Sequence, residues 1–256
     1  MLTSEKIQQA AQHLFAARKS GTPGERLPES CRPSDAESAL AIQDRVLELM
    51  GDTPGGWKCA VPLPKAPVIL SPIPKSQIVR SLRCRVPGSA AQIEPEVAFV
   101  LSRDLPARGT AYAEDELKAA IGETHFVLEL LRSSYANKAE ASSMEILADA
   151  YNNLGLLMGP AIPNALDRPL ETLHVTVTGG GRTIHDRDGR HPSGHPLKAF
   201  SWLVQFVNGR GHGLKAGEVV TTGSYAGIVD VPVGVPLRVQ LGDLGVIEVE
   251  LITGHP

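Results

Sequence analysis

From Gly56 onward the chain never sustains one apolar period for long, because short runs rich in Val and Ile are cut every ten residues or so by Gly or Pro. Runs of that length and composition fit strands better than helices, so the pattern calls for a β-rich body. Candidate strands fall at 56–61, 91–101, 124–133, 154–158, 173–178, 219–222, 237–241 and 246–252, with Gly179-Gly180-Gly181 and Gly242-Asp243 supplying hairpin turns.

Ahead of Gly56 the period changes. Ile7, Ala10, Ala11, Leu14 and Phe15 recur at helical spacing, which predicts a helix over 3–18. In Ser34-Asp35-Ala36-Glu37 the serine can accept from first-turn amides while Glu37 reaches back, and Gly51 suits a left-handed C-terminal residue, so a second helix is placed at 35–50. Shorter helices are expected at 113–121, 143–150 and 196–208. The stretch 61–75, with five prolines, reads as a loop, and 185–195 as a solvated turn. The expected organisation is α+β: a helical segment over 1–55 on a β-rich catalytic body over 56–256.

The formal charge of -3 and the even spread of Lys and Arg leave no basic stripe for a phosphate backbone, which argues against a nucleic-acid partner. Cys31, Cys59 and Cys84 are odd in number and far apart, without zinc or disulfide spacing, as suits a reducing, cytoplasmic compartment. The first twenty residues lack a signal peptide's continuous apolar core, and no stretch is long and apolar enough to span a bilayer, so no membrane partner is expected.

In Gln92-Ile93-Glu94-Pro95-Glu96-Val97-Ala98-Phe99, strand alternation puts Ile93, Val97 and Phe99 on one face and both glutamates on the other. Adjacent carboxylates either lie on a solvated face or share a cation that relieves their repulsion. Glu129 is the single carboxylate inside the apolar run Phe126 to Leu131. It needs either a metal or a buried ion pair, with Arg132 or Lys58 as candidate partners. Three carboxylates and water suit Mg2+ or Mn2+. Lys58 follows the pair Gly55-Gly56, which permits close backbone approach; it is either an edge charge facing water or a residue sheltered beside the carboxylates.

Gly-Trp-Lys at 56–58, Glu-Pro-Glu at 94–96 and Leu-Glu-Leu at 128–130 together resemble the 2-keto-4-pentenoate hydratase and 4-oxalocrotonate decarboxylase group of the fumarylacetoacetate hydrolase superfamily. The likeness continues through Asp149 to Gly155, Gly194-His195-Pro196 and Leu214 to Ser224. It implies a mixed β-sandwich or roll in which Glu94, Glu96 and Glu129 coordinate Mg2+ or Mn2+. A small 2-oxo acid would chelate that metal, Lys58 would assist proton transfer, and the chain would form a homo-oligomer. Thr222 and Ser224 are candidates for the substrate carboxylate or else ordinary turn hydroxyls, and His195, which opens a helix, is a third substrate-facing candidate. The implied activity is hydration of a 2-hydroxydienoate such as 2-oxopent-4-enoate. Decarboxylation of an unsaturated 2-oxo diacid, acylpyruvate hydrolysis, or a non-catalytic or biosynthetic relative are the alternatives.

Two departures bear on this. The hydratases carry an aspartate downstream of the lysine, whereas 62–76 contains no Asp or Glu, and Arg132 stands where the group usually has an aspartate. Lys58 would then act without a carboxylate partner from that loop, with a pKa that burial and a neighbouring cation should push down.

Overall fold

The computed structural model describes residues 1–64 and 67–254. Thr3 caps α1 (Ser4–Ser20) by accepting from the Lys6 amide, and Gly21 closes it at φ +63°. α2 (Ala36–Leu49) is capped by Asp35 rather than Ser34: the Asp35 carboxylate accepts from the Ser38 amide at 2.8 Å. A carboxylate also answers the positive end of the helix dipole, which a serine hydroxyl does not. Glu37 does not reach back; it pairs with Arg210 at 2.7 Å. Gly51 adopts the left-handed φ of +66° read from the sequence.

The strands follow as β1 (Pro54–Ala60), β2 (Ile69–Pro74), β3 (Ile78–Val79), β4 (Arg83–Val86), β5 (Ala90–Leu101), β6 (Ile121–Leu131), β7 (Asn153–Ala161), β8 (Thr172–Gly179), β9 (Arg182–Arg190), β10 (Val219–Ser224), β11 (Val229–Pro232), β12 (Pro236–Leu241) and β13 (Gly245–Thr253). Between them lie α3 (Glu114–Ala120), α4 (Ser143–Ala148) and α5 (Pro196–Gly209). Among the described residues, one sheet runs β2-β1-β10-β5-β6-β7-β3 with β11 added to β5, and a second runs β4-β13-β12-β8-β9. None of the helices is long and apolar enough to cross a membrane, among the described residues.

The larger sheet curls until its ends meet. β2 pairs with β1 at one edge, β3 pairs with β7 at the other, and the single turn Lys75–Gln77 joins β2 to β3. Strand alternation then gives the curl an inside and an outside. Ile93, Val97, Phe99, Phe126, Leu128, Leu157 and Val220 point outward into the main core, where Phe99 meets Phe200 of α5 edge-to-face. Ile73, Ala98, Val127, Leu156, Met158 and Val219 point inward and form a separate apolar plug. Glu94, Glu96 and Glu129 share the inward parity, so the same alternation that buries the plug also buries the acids.

Several expectations are corrected. The proline-rich stretch 61–75 contains β2, whose Pro72 and Pro74 are tolerated because this edge strand pairs with β1 alone in the sheet. Of the stretch 185–195, read as a solvated turn, residues 185–190 belong to β9; it is an exposed edge strand of the smaller sheet, so its sequence shows no apolar alternation. The short strands β3, β4 and β11 also went unread, each adding only a few bridging residues to a sheet edge or end. Close packing explains two glycines: a Cβ at Gly56 would sit 2.3 Å from the Val219 carbonyl oxygen, and one at Gly189 would sit 2.0 Å from that of Tyr225.

Candidate metal centre

β5 and β6 pair antiparallel with Glu94 directly opposite Glu129, and Glu96 follows two residues along β5 on the same face. One carboxylate oxygen from each of the three lies within 4.8 Å of the others. Glu96 and Glu129 are 1 % and 0 % exposed, and Glu94 is half-buried, so the solvated-face reading of the pair does not hold.

Lys58 comes from β1, which lies between β2 and β10 and is therefore no edge strand. It is 8 % exposed, and its Nζ stands 2.6 Å from Glu129 Oε1. Of the two ion-pair partners considered for Glu129, Lys58 is the one present. Arg132 turns elsewhere, donating to the carbonyls of Pro87 and Gly21, the latter at 2.8 Å.

Further groups fix the acids. Asn153 Nδ2 donates to Glu129 Oε1 at 2.8 Å, the Gly223 amide donates to Glu96 Oε2 at 2.8 Å, and the Thr221 hydroxyl donates to the same oxygen. Sequence reading missed Thr221, although alternation along 219–222 already sets it on the opposite side from Thr222. Asn153 stood within the recognised motif without a role. Ahead of it, Ala150, Tyr151 and Asn152 adopt φ of 54°, 49° and 63° in succession, a left-handed run that L residues avoid.

The charge balance is unfavourable without a cation. Three carboxylates face one ammonium, and Glu129 Oε2 is buried with no hydrogen-bond partner among the described residues. Burial, then the Glu129 charge, push Glu94 up to about 7, and burial, then Glu129 and Glu94, push Glu96 up to about 8. Protons therefore do in the metal-free protein what a divalent cation can do by displacing them, and the orphaned Oε2 offers such an ion a ready lone pair. Lys58 departs from expectation: burial pushes its pKa down, but the charges of Glu129, Glu94 and Glu96 outweigh it and the net direction is up.

These shifts set a pH dependence. A carboxyl whose folded pKa is raised above its ordinary 4.5 contributes stability that is present below 4.5 and lost as pH rises toward 7 to 8. A metal competes with the same protons, so its affinity should rise over that window. Calorimetry with Mn2+ should show at least roughly tenfold tighter binding at pH 8.5 than at pH 6, with proton release. A flat profile would contradict the proton-filled cluster.

The other candidates lie apart. Thr222 points outward and donates to the Val97 carbonyl at 2.8 Å, beside His191. Ser224 stands opposite Glu96 in register, but its hydroxyl serves the turn, on the carbonyls of Pro95 and Gly227. His195 caps α5, accepting from the Leu197 amide. α5 packs on the outer face, where the Cys59 thiol meets the Ala199 carbonyl, so His195 is on the far side of the sheet from the acids. It borders a cavity of about 980 Å³, together with Leu63, Lys118, Lys198 and Trp202. The carboxylates and Lys58 do not line that cavity.

Residues 43–254 match the sequence profile described as fumarylacetoacetate (FAA) hydrolase C-terminal, more than half of the chain. The chain belongs to the fumarylacetoacetate hydrolase family. Within this family it is 24 % identical to the 2-keto-4-pentenoate hydratase of Paraburkholderia phymatum, over 96 % of this chain and 97 % of that one. It is 27 % identical to 2-keto-4-pentenoate hydratase 2 of Dechloromonas aromatica, over 60 % of this chain and 58 % of that one. In structure it resembles the 4-oxalocrotonate decarboxylase of Pseudomonas putida G7 complexed with magnesium and adipate. The TM-score is 0.82 at 21 % identity, covering 98 % of this chain and 99 % of that one. The fold shared with that structure therefore includes the N-terminal helices.

Proposed function

We propose that this protein is a divalent-metal-dependent lyase that hydrates a small 2-hydroxydienoate, the enol form of a 2-oxo acid such as 2-oxopent-4-enoate. The observation that carries the reading is the meeting, inside the curled sheet, of a sheltered ammonium with three carboxylates, one of which keeps a buried oxygen unpartnered. The hydratase relatives, one matched almost end to end, supply the substrate class.

Glu94, Glu96 and Glu129 would hold Mg2+ or Mn2+, and the magnesium complex of the structural relative supports a hard cation. Such an ion supplies positive charge where the carboxylate and carbonyl oxygens of a 2-oxo acid gather negative charge. Thr221, Gly223 and Asn153 hold the acids in place. Lys58 keeps a proton at Nζ for transfer to or from the substrate carbon chain.

A decarboxylase of an unsaturated 2-oxo diacid is the second reading. It is favoured by the sequence of 62–76, which brings no carboxylate to share acid and base duties with Lys58. Metal-loaded protein supplied with 2-hydroxypenta-2,4-dienoate and, separately, an unsaturated 2-oxo diacid should consume the dienoate's enol absorbance without releasing CO2. CO2 release from the diacid with no hydration would replace the first reading by the second. Tight metal binding with turnover of neither would mark a relative that keeps the centre and has lost the chemistry.

A further inference from the structure

α1 lies outside residues 43–254, yet one of its side chains reaches the scaffold of the metal centre. Arg18, in the last turn of α1, directs its guanidinium at the segment that follows α4. Nη1 donates to the Asn153 carbonyl at 2.9 Å, and Nη2 donates to the Asp149 carbonyl at 2.9 Å and to Asp149 Oδ1 at 3.0 Å. The Asp149 carboxylate is fully buried, and the Ser134 amide and hydroxyl complete its partners.

The two anchors bracket the left-handed run Ala150, Tyr151 and Asn152. Such a run persists only where its surroundings over-determine it, and here the planar fork of one arginine grips both of its ends. The next side chain, Asn153, spends its amide on Glu129 Oε1, the oxygen that Lys58 also meets. A continuous set of bonds thus runs from α1 through Arg18 and the strained turn to Asn153 and Glu129.

We propose that Arg18 is a positioning residue of the metal centre, holding the 149–153 turn so that Asn153 aims Glu129 at the cation. This rests on the reading of Glu94, Glu96 and Glu129 as metal ligands. Partners that orient a ligand in this way typically change metal affinity by about 10- to 100-fold when removed.

The test is calorimetric titration of the metal-free full chain with Mn2+, alongside thermal melting, for wild type, Arg18→Ala, Arg18→Lys and Ala11→Gly. Ala11 is buried in α1 but makes none of these bonds, so Ala11→Gly loosens the helix without touching the turn. Arg18→Ala is expected to weaken Mn2+ binding by about 10- to 100-fold, and Arg18→Lys by less but still by more than about twofold, because an ammonium keeps the charge beside Asp149 yet cannot grip both carbonyls in one plane. Ala11→Gly should melt earlier with unchanged affinity. Wild-type binding combined with an Arg18→Ala affinity within about twofold of it would overturn the proposal and leave the metal reading intact. If Arg18→Ala does not fold, Arg18→Lys decides by the same criterion. A wild-type protein that binds no Mn2+ would instead remove the metal reading and this proposal with it.

Discussion

Glu129→Ala should remove Mn2+ or Mg2+ binding from the calorimetric range and destabilise the protein at the same time. The carboxylate is fully buried and contributes both the oxygen that meets Lys58 and the unpartnered Oε2. Breaking a buried ion pair by deleting one partner costs about 3–5 kcal/mol, since the surviving charge stays out of water. The low end is expected here, because Glu94 and Glu96 also lie within reach of the Lys58 charge. Lys58→Ala combined with Glu129→Ala should recover part of that loss, as the orphaned ammonium is gone. Urea unfolding of the metal-free single and double variants measures it, and a Glu129→Ala protein that binds metal like wild type would remove Glu129 from the centre.

Lys58→Ala should separate binding from chemistry. Deleting a cation next to the proposed cation site leaves the three carboxylates in place, so metal affinity should hold or tighten. Turnover should fall by about 10²- to 10⁴-fold, the usual worth of a general acid or base. The ammonium is held in its charged form above all by Glu129, so in the metal-free protein it is a proton donor in waiting rather than a base. Brisk hydration of 2-hydroxypenta-2,4-dienoate by Lys58→Ala would show that another group moves the proton.

Most of the strands and every helix longer than one turn were legible because their signals are local. The helix starts at Thr3 and His195, the left-handed Gly51 and the alternation along β5 and β6 each depend on a few adjacent residues. β2 and β9 were not legible for the same reason: an edge strand need not alternate or avoid proline, and which strand is an edge is a property of its neighbours. Thr221 and Thr222 differ because one step along a strand turns the side chain to the other face, so Thr221 meets Glu96 while Thr222 meets the Val97 carbonyl.

By itself the sequence determined that Glu94 and Glu96 share a face, that Glu129 stands alone among apolar neighbours, and that Lys58 follows a glycine permitting close backbone contact. Alternation fixes two sides relative to one another but does not say which of them faces inward. That was decided by the tertiary structure, through the closure of the large sheet at Lys75–Gln77 and the register that sets Glu94 against Glu129. Only there do the Lys58 ammonium, the Asn153 amide and, through it, Arg18 of a distant helix meet one carboxylate, because contacts between residues from 24 to 135 positions apart depend on chain closure and leave no periodic trace.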